Sequence, residues 1–188
     1  TGQNAVAIVG TVSAAKKWDI HYGLPITQPL VSLIIPTKNN LTLLRQCVTN
    51  ILLKTEYENF EILVVDNGSD QNDTLDYLRR IAGTPKVRVI RDNYAFNYSA
   101  LNNSAVALSK GEIIAFLNDD TKVDSNWLKS LVSRMNQDKN IAIVSSKIIF
   151  WHKFIPLHIE SDCPLTIDKT ALFESISEYP KAFINSDL

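Results

Sequence analysis

Cysteine is scarce. Cys47 and Cys163 are the only two among 188 residues, too few and too far apart for a disulfide framework or a zinc site. Cys47 falls in an expected helix, where a free thiol is normally a small core residue. The pair suits a reducing, intracellular compartment. Histidine is as sparse: His21, His152 and His158 are too scattered to share a metal. An excess of charge of either sign is missing as well. The formal net charge is -1, so the basic excess of a nucleic-acid binder is lacking. Apolar runs such as Val31 to Ile35 and Ile141 to Val144 are of strand length. They fall far short of the roughly 20 residues of a membrane span, and no signal peptide is visible. No GxGxxG or GxxxxGKS/T follows any apolar run, which argues against a dinucleotide site or a P-loop. Ser69 and Ser99 have no paired base, so a nucleophilic hydrolase is unsupported. Trp18, Trp127 and Trp151 read as packing residues.

What is present is an ordinary globular composition, 45% hydrophobic and 21% charged, long enough for one domain with a real core. Residues 1–29 read as an approach segment with a short strand at Val6 to Val9. From residue 30 the pattern alternates. VSLIIP is a strand buried on both faces. Asn40 then caps a helix whose apolar positions are Leu41, Leu44, Val48, Ile51 and Leu52. FEILVVD (Phe60 to Asp66) is a second strand, followed by a helix from Asp73 to Ile81. KVRVI (Lys86 to Ile90) is a third. A helix from Tyr98 to Ser109 is closed by Gly111 in the C-terminal glycine position. EIIAFLN is the fourth strand, Trp127 to Met135 a helix, and IAIVSSKIIF the fifth strand. This alternation predicts an α/β domain over 30–150, a mostly parallel sheet wrapped by helices. In the tail, 151–188, the repeat fades, and Ala171 to Ile176 suggests a helical turn or two.

Polar residues collect where ligands bind in such sheets, outside the carboxyl ends of the strands. Strand one ends in Pro36-Thr37-Lys38-Asn39, strand two in Asp66-Asn67-Gly68-Ser69, strand four in Asn118-Asp119-Asp120. If strand one lies between the other two, all three clusters share one edge. With no phosphate nest, acids there repel a diphosphate unless a divalent cation lies between, and Mg2+ or Mn2+ favours one or two carboxylates plus phosphate oxygens. Asp120 suits that bridge, Asp119 suits ribose hydroxyls, and Asp66 and Asn67 suit the edge of a base. The competing reading is turn and cap chemistry. It accounts for Asp66 to Asp70 as well as a ligand does. It accounts less well for Asp119 and Asp120, because Asp124 or Ser125 already stands at the cap position of the next helix.

VSLIIPTKN, FEILVVDNGSD, RDNYAFNYSALNNSA and GEIIAFLNDDTKVDSNWL, in this order, resemble the family 2 glycosyltransferases of the GT-A fold. Within them the chain is similar to bacterial enzymes of O-antigen and other cell-surface polysaccharide assembly. The likeness runs from Leu30 to Phe150. It implies a Rossmann-like, mostly parallel sheet flanked by helices, incomplete at its C-terminal side. It also implies a nucleotide-diphospho-sugar donor, a glycan or lipid-linked acceptor, and a divalent metal. By position, Pro36, Thr37 and Asn67 line the nucleotide pocket with Asp66 beside them. Asn97 stands near the diphosphate, where some relatives carry a basic residue. Asp119 matches the ribose-contacting acid and Asp120 the metal ligand of the Asp-x-Asp motif, whose first acid is replaced by Asn118. The implied chemistry is a single displacement with inversion. The family's general base lies in an acceptor-binding half after a Gly-Gly-Phe-Asp-like stretch that this sequence lacks, so no catalytic base is assigned. With Thr1 in place of an initiator methionine, the expectation is a truncated or excised donor-binding part that transfers sugar poorly. The analogy places it in the cytoplasm, peripherally at the inner face of the membrane. The alternative is a non-catalytic nucleotide-binding or regulatory module. A receiver-type phosphoacceptor domain fits poorly, since strand one ends in Pro-Thr rather than an acidic pair.

Overall fold

The structure is a computed structural model that describes residues 5–12, 15–146, 150–151, 156–157 and 182–185, with side chains over 22–146. It opens with an antiparallel hairpin of β1 (Ala5–Val12) and β2 (Ala15–Tyr22), in which Ala5 pairs with Tyr22 and Val12 with Ala15. The expected approach segment with one short strand is therefore corrected to two strands of eight residues. Gly10 and the Lys16-Lys17 pair interrupt the apolar period along the chain, yet ladder bonds across a hairpin do not depend on it.

The domain proper alternates strand and helix: β3 (Val31–Thr37), α1 (Leu41–Lys54), β4 (Phe60–Asp66), α2 (Asn72–Ile81), β5 (Val87–Arg91), α3 (Tyr98–Leu108), β6 (Ile113–Phe116), α4 (Trp127–Met135) and β7 (Ile143–Ser145). Short strands β8 (Phe150–Trp151), β9 (Pro156–Leu157) and β10 (Ala182–Asn185) follow. The main sheet has the order β5-β4-β3-β6-β10-β7, and its pairings are parallel. Two departures from expectation concern its far side. Within IAIVSSKIIF, β7 covers Ile143–Ser145 and Phe150 belongs to β8, and a strand from the tail, β10, lies between β7 and β6. The helical turns expected at Ala171 to Ile176 lie outside the described residues.

Burial on both faces explains the unbroken apolar runs. Along β3, Val31, Leu33 and Ile35 join a core built with Leu44, Cys47, Val48 and Ile51 of α1, together with side chains of α2 and α4. Ile34 points to the other face, where Leu63, Val65 and Ile114 meet Leu101, Ala105 and Val106 of α3. That is the period-two alternation of a strand. Each such side chain, once buried, stabilises the fold by about 1.5–3 kcal/mol. The chain runs outward from β3 through β4 to β5, then α3 carries it back to β6 on the other side of β3. Strand order reverses at β3.

Gly111 has a different role from the one expected. α3 ends at Leu108 with Ser109 extended, and the one described glycine with positive φ is Gly68. At Gly111 a Cβ would stand 2.5 Å from Ser32 N and 2.8 Å from Leu30 O. Close approach to β3 requires glycine there, not a left-handed helix end.

Candidate functional site

Because the strands are parallel and in register, their last residues stand level: Thr37 pairs with Asp66, and Asp66 with Arg91. β6 ends one strand away on the opposite side of β3, and Leu117 N extends the pairing to Ile34 O at 3.0 Å. The three polar clusters expected to share an edge do share it, with β3 in the middle.

Asp119 and Asp120 differ sharply in their surroundings. Asp119 is half-buried. Its Oδ2 accepts from the Thr37 hydroxyl at 2.7 Å and its Oδ1 from Asn40 Nδ2 at 3.1 Å. Burial pushes its carboxyl above the ordinary range; the bonds from Thr37 and Asn40 oppose that, and the charge of Asp120 adds to it. Asp120 is exposed, and among the described residues its carboxylate accepts no hydrogen bond. Neither acid caps α4: Asp124 Oδ1 accepts from Asn126 N at 2.9 Å, and the cap residue Asn126 makes no side-chain cap bond. The cap expected of Asp124 or Ser125 is corrected: Asn126 holds the cap position, and Asp124 makes only a local turn with it. Asn40 likewise makes no side-chain cap bond to α1. Asn40 does hold the expected N-cap position, and its side-chain Nδ2 donates to Asp119. Beneath the pair, the buried Cys47 Sγ lies 3.6 Å from Asn118 O. Burial, then the charges of Asp119 and Asp120, push its thiol up to about 12. Cys47 is the inert core residue expected.

On the other side of β3, Asp66 is buried and fully engaged. Its Oδ1 accepts from Ser69 N at 2.9 Å and its Oδ2 from Arg91 Nη1 at 2.8 Å. Arg91 also donates to Ser69 O and to Asn93 Oδ1, both at 2.9 Å. This clamp shapes the 66–70 turn, where Gly68 sits at φ +70, a conformation glycine adopts without strain. Asn39, itself left-handed at φ 53, stitches the same turn to β3. Its N–H donates to Ser69 Oγ, its Oδ1 accepts from Asp70 N and Gln71 N, and its Nδ2 donates to Asp70 Oδ1. Asn67 is buried, with Nδ2 donating to Asp92 O at 3.3 Å and Tyr94 O at 3.0 Å. Its Oδ1 is buried and has no partner among the described residues.

Thr37, Asp66 and Asn67 thus form a rigid floor, and Asn118 and Asp120 stand exposed on the rim with Asp119 between. Pro36 precedes Thr37 in β3. Asn97 is the N-cap of α3, its Oδ1 accepting from Ala100 N at 3.0 Å, and no bond among the described residues joins it to the other expected site residues. Arg91 and the exposed Tyr94 and Phe96 had no expected role, and Asn39 and Asn40 only those of a strand end and a helix cap. One signal was available: the third strand also ends in polar residues, Arg91-Asp92-Asn93, at the same edge. Two clefts lie elsewhere, one of about 610 Å³ between α1 and α2 and one of about 750 Å³ between the 25–29 segment and α4. Neither contains an expected site residue. Among the described residues no three His, Cys, Asp or Glu side chains gather to hold a metal. Asp120 offers a single unencumbered carboxylate, which suits an ion that completes its shell with phosphate oxygens and water.

The sequence profile described as Glycosyl transferase family 2 matches residues 32–181. The uncharacterized protein y4gI of Sinorhizobium fredii is 49% identical over 124 residues, 65% of this chain and 14% of that protein. The O-antigen biosynthesis protein RfbC of Myxococcus xanthus is 38% identical over 123 residues, 65% of this chain and 10% of that protein. This chain therefore spans a small part of the curated relatives it matches. Among solved structures, the mannosyltransferase PcManGT from Pyrobaculum calidifontis, in complex with GDP-Man and Mn2+, aligns with a TM-score of 0.58. Identity is 23%, covering 65% of this chain and 37% of that one. Likeness at this identity speaks to the fold.

Proposed function

Because this chain belongs to glycosyltransferase family 2, we propose that it binds the nucleotide-diphospho-sugar donor of a glycosyl transfer in cell-surface polysaccharide assembly, aided by Mg2+ or Mn2+ at Asp120. Its sheet is the GT-A arrangement shared with the mannosyltransferase. The observation that carries the reading is the contrast between the two adjacent acids. Thr37 and Asn40 immobilise Asp119, leaving a fixed acceptor at the edge of the floor for ribose hydroxyls. Asp120, with no bond to the protein among the described residues, is left to face a cation. When bound, the ion offsets the charge of the diphosphate leaving group. Asn118 adds a neutral oxygen on the same rim. The acceptor is a glycan or a lipid-linked glycan, and transfer proceeds with inversion. The O-antigen relative supports that substrate class, and the GDP-Man and Mn2+ held by the structural neighbour support the donor and the ion. No helix among the described residues is long and apolar enough to cross a membrane. We place the chain in the cytoplasm, peripherally at the membrane's inner face.

Calorimetry of UDP, dTDP and GDP with and without Mn2+ tests the binding. One of the three binds in Mn2+, and Asp120→Ala weakens it by at least about tenfold, since loss of even an outer-shell partner of a metal ligand costs roughly 10–100-fold. Binding indifferent to both Mn2+ and Asp120 sinks the metal assignment. Radiolabelled donors with lipid-linked acceptors then separate a transferase from a nucleotide-binding module: the transferase gives turnover that Asp120→Ala abolishes.

A further inference from the structure

Two exposed aromatics lie in the short β5–α3 connection, Tyr94 at 85% and Phe96 at 69% exposed, and Tyr98, 41% exposed, opens α3 next to them. Among the described residues the other large exposed apolar side chains, Ile26, Leu43, Leu53 and Leu108, are scattered singly, which is normal for a surface. A cluster calls for a cause.

The backbone that carries Tyr94 is pinned to the floor of the candidate site. Asp92 N donates to Asp66 O at 2.9 Å, and Tyr94 N to Asp92 Oδ1 at 3.0 Å. The carbonyls of Asp92 and Tyr94 both accept from the buried Asn67 amide. At the other end Asn97 caps α3. The loop backbone is therefore tethered beside the buried Asp66 and Asn67, with the Tyr94 and Phe96 rings exposed. A platform fixed in advance loses little freedom on meeting a ligand.

Strand order says which part of a ligand it meets. Asp120 follows β6, and Tyr94 follows β5, three strand spacings away in the order β5-β4-β3-β6. At roughly 4.8 Å per spacing this is about 14 Å, comparable to the reach of a nucleoside diphosphate from base to terminal phosphate. With the phosphate end at Asp120, the base end falls toward Tyr94.

We infer that Tyr94, with Phe96 beside it, stacks on the nucleobase of the donor and closes the crevice at the end opposite the diphosphate. The inference rests on the donor-binding reading given above. Stacking on a π-face tolerates any base, so the pair supplies affinity rather than choice among bases.

The test measures affinities of UDP, dTDP, GDP and inorganic pyrophosphate, each with Mn2+, for the unsubstituted chain, Tyr94→Phe and Tyr94→Ala/Phe96→Ala. In the double variant the nucleotides that bind weaken by about tenfold, the scale of one lost base–aromatic stack. Pyrophosphate keeps its affinity, and Tyr94→Phe behaves as the unsubstituted chain. Circular dichroism melts verify that the double variant folds; both side chains are exposed, so it should. Unchanged nucleotide affinity overturns the inference while leaving donor binding intact. A parallel fall for pyrophosphate overturns it too, because the loss is then not at the base. A panel of methyl pyranosides read by saturation-transfer NMR gives the remaining arm. Sugar binding that disappears in the double variant, with nucleotides unaffected, reassigns the platform to the acceptor and overturns the inference. Binding of pyrophosphate without any nucleotide overturns it as well. If the unsubstituted chain binds neither, the donor-binding reading falls and takes the inference with it.

Discussion

The two ends of the same parallel strands carry similar residues and put them to opposite uses. At the starting end of β3, β4 and β6 a hydroxyl, an acid and an arginine form a closed set. Glu61 Oε1 accepts from the Ser32 hydroxyl and from Lys110 N, both at 2.7 Å, and Oε2 accepts from Arg88 at 3.2 Å. Ser32 Oγ accepts in turn from Gly111 N at 2.8 Å. Burial pushes the Glu61 carboxyl up, but the bonds from Lys110, Ser32 and Arg88 outweigh it and hold it below its ordinary range. At the finishing end a hydroxyl, acids and an arginine recur as Thr37, Asp66, Asp119 and Arg91. There the set stays open: Asp120 accepts no bond among the described residues, Asn67 Oδ1 is orphaned, and the Asp119 carboxyl is pushed up rather than down. A polar group that the protein satisfies completely holds strands together. One that the protein leaves unsatisfied at a strand end is available to a ligand.

Stability should therefore divide the two ends. Glu61→Ala strips the acceptor from a buried hydroxyl and a main-chain N–H and leaves Arg88 without its acid. A loss of about 3 kcal/mol in urea unfolding is expected. Asp120→Ala, at an exposed acid, should move the same transition by no more than about 0.5 kcal/mol. Equal effects from the two substitutions would erase the distinction between the ends.

Gly111→Ala probes the closed end without touching charge. Its Cβ would press on Ser32 N, Ser32 Oγ and Leu30 O, two of them main-chain atoms, so β3 and β6 must separate. We expect a loss of about 2 kcal/mol from overpacking, with nucleotide affinity at the open end preserved. A glycine needed only for conformational freedom would cost far less here, because its φ is ordinary.

How this division shows in the sequence depends on distance along the chain. Strand and helix periods are local, so β3 to α4 were legible almost to the residue, and the strand-end rule put the three polar clusters on the one edge they share. Bonds between residues far apart left no such trace. Thr37 and Asp119 are 82 positions apart, and Asn40 and Asp119 are 79. In the sequence Asn40 looks like any helix cap and Thr37 like any strand end. Glu61 lies inside FEILVVD, where a charge in a buried strand hinted at a partner without naming Ser32 or Arg88. β10 was invisible for a related reason. AFIN is too short to carry a period, and only its place between β6 and β7 makes it a strand.

Thr37→Val is a milder probe of the open end. It removes the shortest bond to Asp119 while keeping shape, so about 1 kcal/mol of stability should be lost. Asn40 alone then holds the acid, and its carboxyl should rise further. Nucleotide affinity should weaken at acidic pH more than at neutral pH. A uniform loss at every pH would mean that Thr37 contacts the ligand directly and does not act through Asp119.

The smallest effect expected, and the one that opposes the two ends most directly, is the response of the metal-free chain to acid. The Glu61 carboxyl is held below its ordinary 4.5. Its contribution is whole above that value and disappears as pH falls through the lower, folded-state value. Asp119 is held above its ordinary 3.8, chiefly by burial. The native state then binds that proton more tightly than the unfolded chain. Between 3.8 and the raised value, Asp119 adds stability as pH falls. Acid thus undoes one end and eases the other. With chelator present, urea midpoints between neutral and strongly acidic pH should fall less steeply in Glu61→Gln than in the unsubstituted chain. In Asp119→Asn they should fall more steeply, since the compensating proton uptake is gone. The Asp119 change is the smaller, because that carboxyl is half-exposed and solvent screens its interactions. Identical slopes in Asp119→Asn and the unsubstituted chain would show that the acid nearest the site is not held charged against its environment. The open end would then owe its availability to Asp120 alone.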